Sequence, residues 1–128
     1  MTTYMLRSFP GQTRTRANEG VYIPVNVSLS EDTFHISAYV PGIQADDVAI
    51  EILEDRVVIE GDFAALAEQE DARILRQEIP SGHFHRSFRL GAKLDAAKAE
   101  AIVKDGILSL SVPKAEEAKT RKIAVKAN

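Results

Sequence analysis

The sequence predicts an all-β fold, an immunoglobulin-like antiparallel β-sandwich. Three observations carry that prediction. Apolar residues recur with a period of two along most of the chain, turn residues punctuate them at short intervals, and no long amphipathic helix interrupts the series.

The first alternation sets Phe34, Ile36, Ala38 and Val40 against Thr33, His35, Ser37 and Tyr39, the pattern of a half-buried strand. Pro41-Gly42 stops it, since proline fixes φ and glycine supplies the φ > 0 that a type II turn requires. Val48, Ile50 and Ile52 then alternate with Ala49, Glu51 and Leu53. After the polar corner Glu54-Asp55, Val57 and Ile59 continue the pattern as far as Gly61. Phe84, Phe88 and Leu90 share one parity in a later strand. Ala99, Ala101 and Val103 form another, and Leu108, Leu110 and Val112 the last, closed by Pro113. Lys104-Asp105-Gly106-Ile107 joins those two through an Asp-Gly pair, a strong hairpin signal.

Residues 62–76 break the pattern. They are rich in Ala, Leu, Glu and Gln, which favour helix, and they separate two strands by more residues than a sandwich connection normally needs. Two readings stand: a surface helix or mobile excursion, or an arm that pairs with another subunit through an edge strand around Ile74, Leu75 and Arg76.

Composition bounds the rest. The 128 residues suit one domain, long enough to bury a core without covalent staples. With no cysteine, disulfides, thiolate metal sites and cysteine nucleophiles are excluded. No apolar run approaches the roughly 20 residues of a transmembrane helix, and no secretory core segment opens the chain. Arg7, Arg14 and Arg16 without a neighbouring acid are compatible with an organellar transit peptide, but apolar periodicity there is too sparse to favour one. The expected compartment is the cytoplasm.

The net charge of −3 is unevenly spread. Residues 1–18 carry three arginines and no acid, a net of +3, and residues 114–128 carry five basic residues against Glu116 and Glu117, again +3. Residues 19–113 carry eight basic and seventeen acidic residues, a net of −9. An acidic body with basic tails is a poor nucleic-acid binder, because phosphate binding needs a positive face on the fold itself. The tails can remain solvated, or dock on the body of another copy.

The chain offers little for catalysis. Its glycines are isolated turn residues with no phosphate cradle, and no Gly-x-Ser-x-Gly elbow accompanies the serines. Asp46-Asp47 and Glu54-Asp55 are acid pairs at corners, where they cap turns. His83 and His85 lie two apart and would share a strand face. With His35 the only other histidine they make a poor ligand set, so cross-strand polar contacts are expected there and no metal or other cofactor is assigned. Arg86 shares the parity of Phe84, Phe88 and Leu90, which aims a guanidinium at the apolar face. An unpaired buried guanidinium is prohibitive, so we expect a carboxylate partner at an interface, the alternative being a bulge that turns Arg86 outward.

Taken together these residues resemble the small heat-shock proteins with their α-crystallin domain, over residues 25–125. The markers are Ala38-Tyr39-Val40-Pro41-Gly42-Ile43, then Asp46-Asp47-Val48 and Val57-Val58-Ile59-Glu60-Gly61. Arg76-Gln77-Glu78 follows, and Gly82-His83-Phe84-His85-Arg86-Ser87-Phe88-Arg89-Leu90 is similar to the family's Gly-x-Phe-x-Arg-x-Phe stretch. Ala101-Ile102-Val103-Lys104-Asp105-Gly106-Ile107-Leu108 fits the Ala-x-x-x-Asn/Asp-Gly-Val/Ile-Leu signature, with Val112-Pro113-Lys114 after it and Ile123-Ala124-Val125 matching the C-terminal Ile-x-Ile/Val motif. Singly each is weak; in this order and spacing they are specific. The chain departs from the family in its short arm, its alanine-rich excursion and Gly91, where proline usually follows Leu90.

The resemblance implies a non-enzymatic, ATP-independent holdase that captures unfolding client proteins and hands them to ATP-dependent chaperones. It implies an N-terminal arm over residues 1–20, an α-crystallin-type sandwich over 21–114 and a tail over 115–128. Ile123 and Val125 would be the oligomerisation plug. Ile74, Leu75, Arg76, Glu78 and Arg86 would form the dimer interface, and Tyr4, Met5, Leu6 and Phe9 would contact clients. Self-association into dimers and larger oligomers is expected, with no nucleic acid and no stable membrane insertion. The competing expectation is a monomeric p23-like adaptor sandwich that binds one defined partner.

Overall fold

The computed structural model describes residues 20–65 and 69–128. The described residues form seven strands: β1 (Val25–Ser30), β2 (Thr33–Tyr39), β3 (Val48–Leu53), β4 (Arg56–Phe63), β5 (Gly82–Arg89), β6 (Glu100–Lys104) and β7 (Ile107–Pro113). They form two antiparallel sheets, one in the order β1-β2-β7-β6 and the other β3-β4-β5. Three short 3-10 turns, Ala45–Asp47, Ala96–Lys98 and Glu116–Ala118, are the only helical segments among the described residues.

The period-two pattern explains which side chains meet. Phe34, Ile36 and Ala38 of β2 and Leu108, Leu110 and Val112 of β7 are buried from one sheet. Val57 and Ile59 of β4 and Phe84 of β5 are buried from the other, and Ile23, Val40, Ile43 and Leu94 close the core from the connections. Phe84 has no exposed surface, and its ring packs 5.0 Å from that of Phe63. Gly61 is buried in β4 because a side chain there would strike the Asp47 carbonyl and the Phe84 ring.

The turns fall where the sequence places them. Gly42 has φ +82° and Ile43 N–H donates to the Val40 carbonyl at 3.1 Å, which closes the type II turn. Asp105 and Gly106 both have positive φ, as a two-residue type I′ hairpin requires. Gly91 also has positive φ, at +79°, a conformation proline cannot adopt, so the chain leaves β5 by a different route from the one a proline would impose.

Several sequence expectations need amendment. The first strand is β1, which the sequence reading omitted although Val25, Val27 and Leu29 alternate there. Val40 lies just beyond β2, and Ala99 just before β6. Of the excursion, Asp62 and Phe63 belong to β4; residues 64, 65 and 69–81 run as turns and coil, and Ile74 to Arg76 form no ladder within the single chain. Helix propensity of a fraction of a kcal/mol per residue does not hold a helix that has no apolar face to pack.

Candidate functional site

Two features of the sandwich are open to partners: its sheet edges and the gap between the sheets. Edge strands β3 and β6 flank a groove of about 240 Å³ lined by Ile50, Ile52, Ala96, Ala99, Glu100, Ala101 and Leu110. The alanines leave room on one wall while Ile50 and Ile52 form the other. Sequence alone names no groove residue, because only the topology reveals that β3 and β6 are both edges.

At the opposite end of the four-stranded sheet, β1 is also an edge. Its Val25, Val27 and Leu29 pair with Ala38, Ile36 and Phe34, so they share the inward face of β2. Yet Val27 and Leu29 are half exposed, since the second sheet does not extend over them. The edge of β5, by contrast, carries a strap from its own chain. Val21 makes a parallel bridge to Phe84, its N–H donating to the His83 carbonyl at 2.8 Å. Gly20 has φ +87° and packs so closely on the His83 carbonyl that no side chain fits.

Arg86 secures this strap. Its Nη1 donates to the Ile23 carbonyl at 2.7 Å, and its guanidinium lies 5.4 Å from the centroid of the Tyr22 ring. The strand parity is as expected, with Arg86 half-buried. Within the chain its acceptor is a backbone carbonyl; the carboxylate expected at an interface would belong to another copy. A carbonyl satisfies a guanidinium N–H without a second charge, and part of the guanidinium remains in contact with solvent.

The other predicted site residues that are described are exposed. Ile74 and Leu75 project from the excursion, with Leu75 82 % exposed. Arg76 and Glu78 form an exposed ion pair with each other at 3.2 Å. In the tail Ile123 is 86 % and Val125 95 % exposed. Tyr4, Met5, Leu6 and Phe9 lie outside the described residues.

His83 projects from the outer face of β5 between two carboxylates of β4. Its Nδ1 is 3.1 Å from Asp62 Oδ1 and its Nε2 3.3 Å from Glu60 Oε2. The Asp62 hydrogen bond, with the charge of both acids, raises its pKa above 6.5. These are the cross-strand contacts expected of this histidine; among the described residues no three groups are arranged to hold a metal ion.

A family profile described as the Hsp20/alpha crystallin family matches residues 26–126. The chain belongs to that family. Among its relatives is the 18 kDa antigen 1 of Mycobacterium intracellulare, 35 % identical over 120 residues that cover 94 % of this chain and 79 % of that protein. Small heat shock protein C4 of Rickettsia felis is 30 % identical over 112 residues, covering 87 % of this chain and 69 % of its own. Heat shock protein 16.0 from Schizosaccharomyces pombe superposes with a TM-score of 0.70 at 28 % identity, over 83 % of this chain and 99 % of that one. A small heat-shock protein from Xylella fastidiosa gives a TM-score of 0.65 at 26 % identity, over 83 % and 97 %. Membership in the Hsp20/alpha crystallin family implies a chaperone role; the family is one of small heat-shock chaperones and not of known enzymes. No helix among the described residues is long and apolar enough to cross a membrane.

Proposed function

We propose that this Hsp20/alpha crystallin family member is an ATP-independent holdase that binds unfolding proteins and prevents their aggregation. One observation carries the reading: apolar side chains are incompletely covered along open edges, half-buried in the groove at Ile50 and Ile52 and exposed on β1 at Val27 and Leu29 and on the tail at Ile123 and Val125. Permanent exposure of so much apolar surface invites aggregation, so copies of the chain mask it for one another at rest. Clients compete for it when they unfold.

Two contacts would build the assembly. In the dimer, the excursion around Ile74, Leu75 and Arg76 adds a strand to the free β1 edge of a neighbour, satisfying backbone groups that the edge leaves unpaired. The strap on β5 supports this choice, because that edge is partly occupied by Val21. In larger oligomers, Ile123 and Val125 enter the groove of another subunit. The two side chains point the same way in an extended tail, and their burial contributes about 1.5–3 kcal/mol each before ordering costs. Residues 115–121, at roughly 3.3 Å per residue, supply the reach. Tyr4, Met5, Leu6 and Phe9 supply further client contacts, and ATP-driven chaperones take the client afterwards.

The test is complex formation. After a heat-labile enzyme is heated with this protein in nucleotide-free buffer, size-exclusion chromatography should recover the enzyme in soluble high-mass complexes with it. Enzyme found only in the pellet, with the protein eluting at its unheated position, overturns the proposal.

A further inference from the structure

The groove between β3 and β6 has an apolar interior; Glu100 reaches its lining and Glu51 stands on the outer side of β3, and these two positions are its lips. Strand alternation places the residue between two inward positions on the outer side of its strand. On β3 the residue between Ile50 and Ile52 is Glu51; on β6 the residue between Ala99 and Ala101 is Glu100, which itself reaches the groove. Both glutamates are exposed, and neither forms an ion pair among the described residues. Glu51 is not itself a lining residue, and neither are the exposed Lys98 and Lys104, the nearest cations in sequence on the β6 side.

The tail has the complementary arrangement. Ile123 and Val125 have the same two-residue spacing as Ile50 and Ile52, roughly 6.6 Å in an extended chain. Lys122 and Lys126 have the opposite parity, so when the two apolar side chains point inward the lysines lie out toward the lips. Their long stems can lay ammonium groups beside carboxylates that the floor cannot offer.

We propose that Glu51 and Glu100 make this groove selective for Ile-x-Val segments flanked by cations, the tail of a second copy of this chain being its occupant, and exclude segments flanked by acids. The inference rests on the reading that the tail enters the groove, and it adds which tails are accepted. Exposed ion pairs add little affinity, but selectivity is a difference: an acid-flanked segment loses two attractive pairs and meets two repulsive ones. A cell containing related chains with acidic tail flanks would thereby keep its assemblies separate.

The experiment uses the full chain carrying Ile123→Ala and Val125→Ala, whose own tail lacks the apolar pair. Fluorescent peptides spanning residues 120–127, one natural and one with Lys122→Glu and Lys126→Glu, are titrated by anisotropy. The natural peptide should bind roughly tenfold more tightly at low salt, with the ratio shrinking as salt screens the lips. Glu51→Gln with Glu100→Gln in the host should narrow the ratio, and Glu51→Lys with Glu100→Lys should reverse it. Equal binding of both peptides, unchanged by either pair of substitutions, overturns the charge selection and leaves tail docking standing. If neither peptide binds, the docking reading fails and the selection falls with it.

Discussion

Arg86 and Ile23 are joined by a 2.7 Å hydrogen bond from the guanidinium Nη1 to a backbone carbonyl, which ties β5 to the strap that leads into β1. The same strap supplies Val21 to the β5 edge and the Pro24 carbonyl to Tyr39 N–H at 3.2 Å, so it bridges the two sheets. Arg86→Ala would leave the Ile23 carbonyl without its donor. We expect a loss of about 1.5–3 kcal/mol, the range for a hydrogen bond to a charged group, and a melting temperature lower by several degrees. Arg86→Lys should recover part of it, since a lysine keeps the charge but not the planar fork. Thermal unfolding followed by circular dichroism checks both; an unchanged midpoint for the alanine variant would show that the bond is immaterial to stability.

That pair also marks the limit of what could be read from residue types. The parity of Arg86 with Phe84, Phe88 and Leu90 was legible, but its acceptor is a backbone atom, and every residue has one. Residue types therefore do not announce it. The strands with a buried face were legible for the opposite reason: β2, β4 and β7 bury every second residue, and those positions are apolar or glycine. β1 alternates too, but its inward face is incompletely covered, with Val27 and Leu29 half exposed. Glu51 and Glu100 look like any surface acids until the strand order shows that β3 and β6 are edges beside a groove.

Gly61 gives the sharpest packing prediction. A Cβ at this position would lie 2.7 Å from Phe84 Cζ and collide with the Asp47 carbonyl. Neither neighbour can yield cheaply, because Phe84 is fully buried and the other atom is backbone. Gly61→Ala should cost about 1–3 kcal/mol by overpacking, despite the higher strand preference of alanine. Urea denaturation of the variant should show a lower midpoint at unchanged slope.

His83 should titrate above its ordinary value because Asp62 and Glu60 favour the charged ring. The sign follows from linkage. With the folded pKa above the unfolded 6.5, the stabilisation is fully present below about pH 6.5 and fades as the pH rises through the folded value. The ring is exposed, so the effect on global stability is small. NMR titration should place the His83 midpoint above 6.5, and Asp62→Asn should lower it more than Glu60→Gln. Equal midpoints in all three proteins would contradict the clamp.

The two assembly contacts should separate by mutation. Ile123→Ala with Val125→Ala should reduce larger oligomers to dimers while the β-sheet circular dichroism persists. Deleting residues 64–73 should remove the dimer itself, leaving monomers or aggregates. Light scattering coupled to size exclusion distinguishes them; a deletion variant that remains dimeric, or a tail variant that elutes with the parent, would remove the corresponding contact from the account.

The most direct measurement is the turbidity of a heat-labile client protein heated with and without this chain in buffer free of nucleotide. The account predicts that turbidity falls as the chain is added, that added ATP changes nothing, and that the suppression requires no third protein. A client that clouds at the same rate whatever the amount of this chain present would contradict the holdase reading.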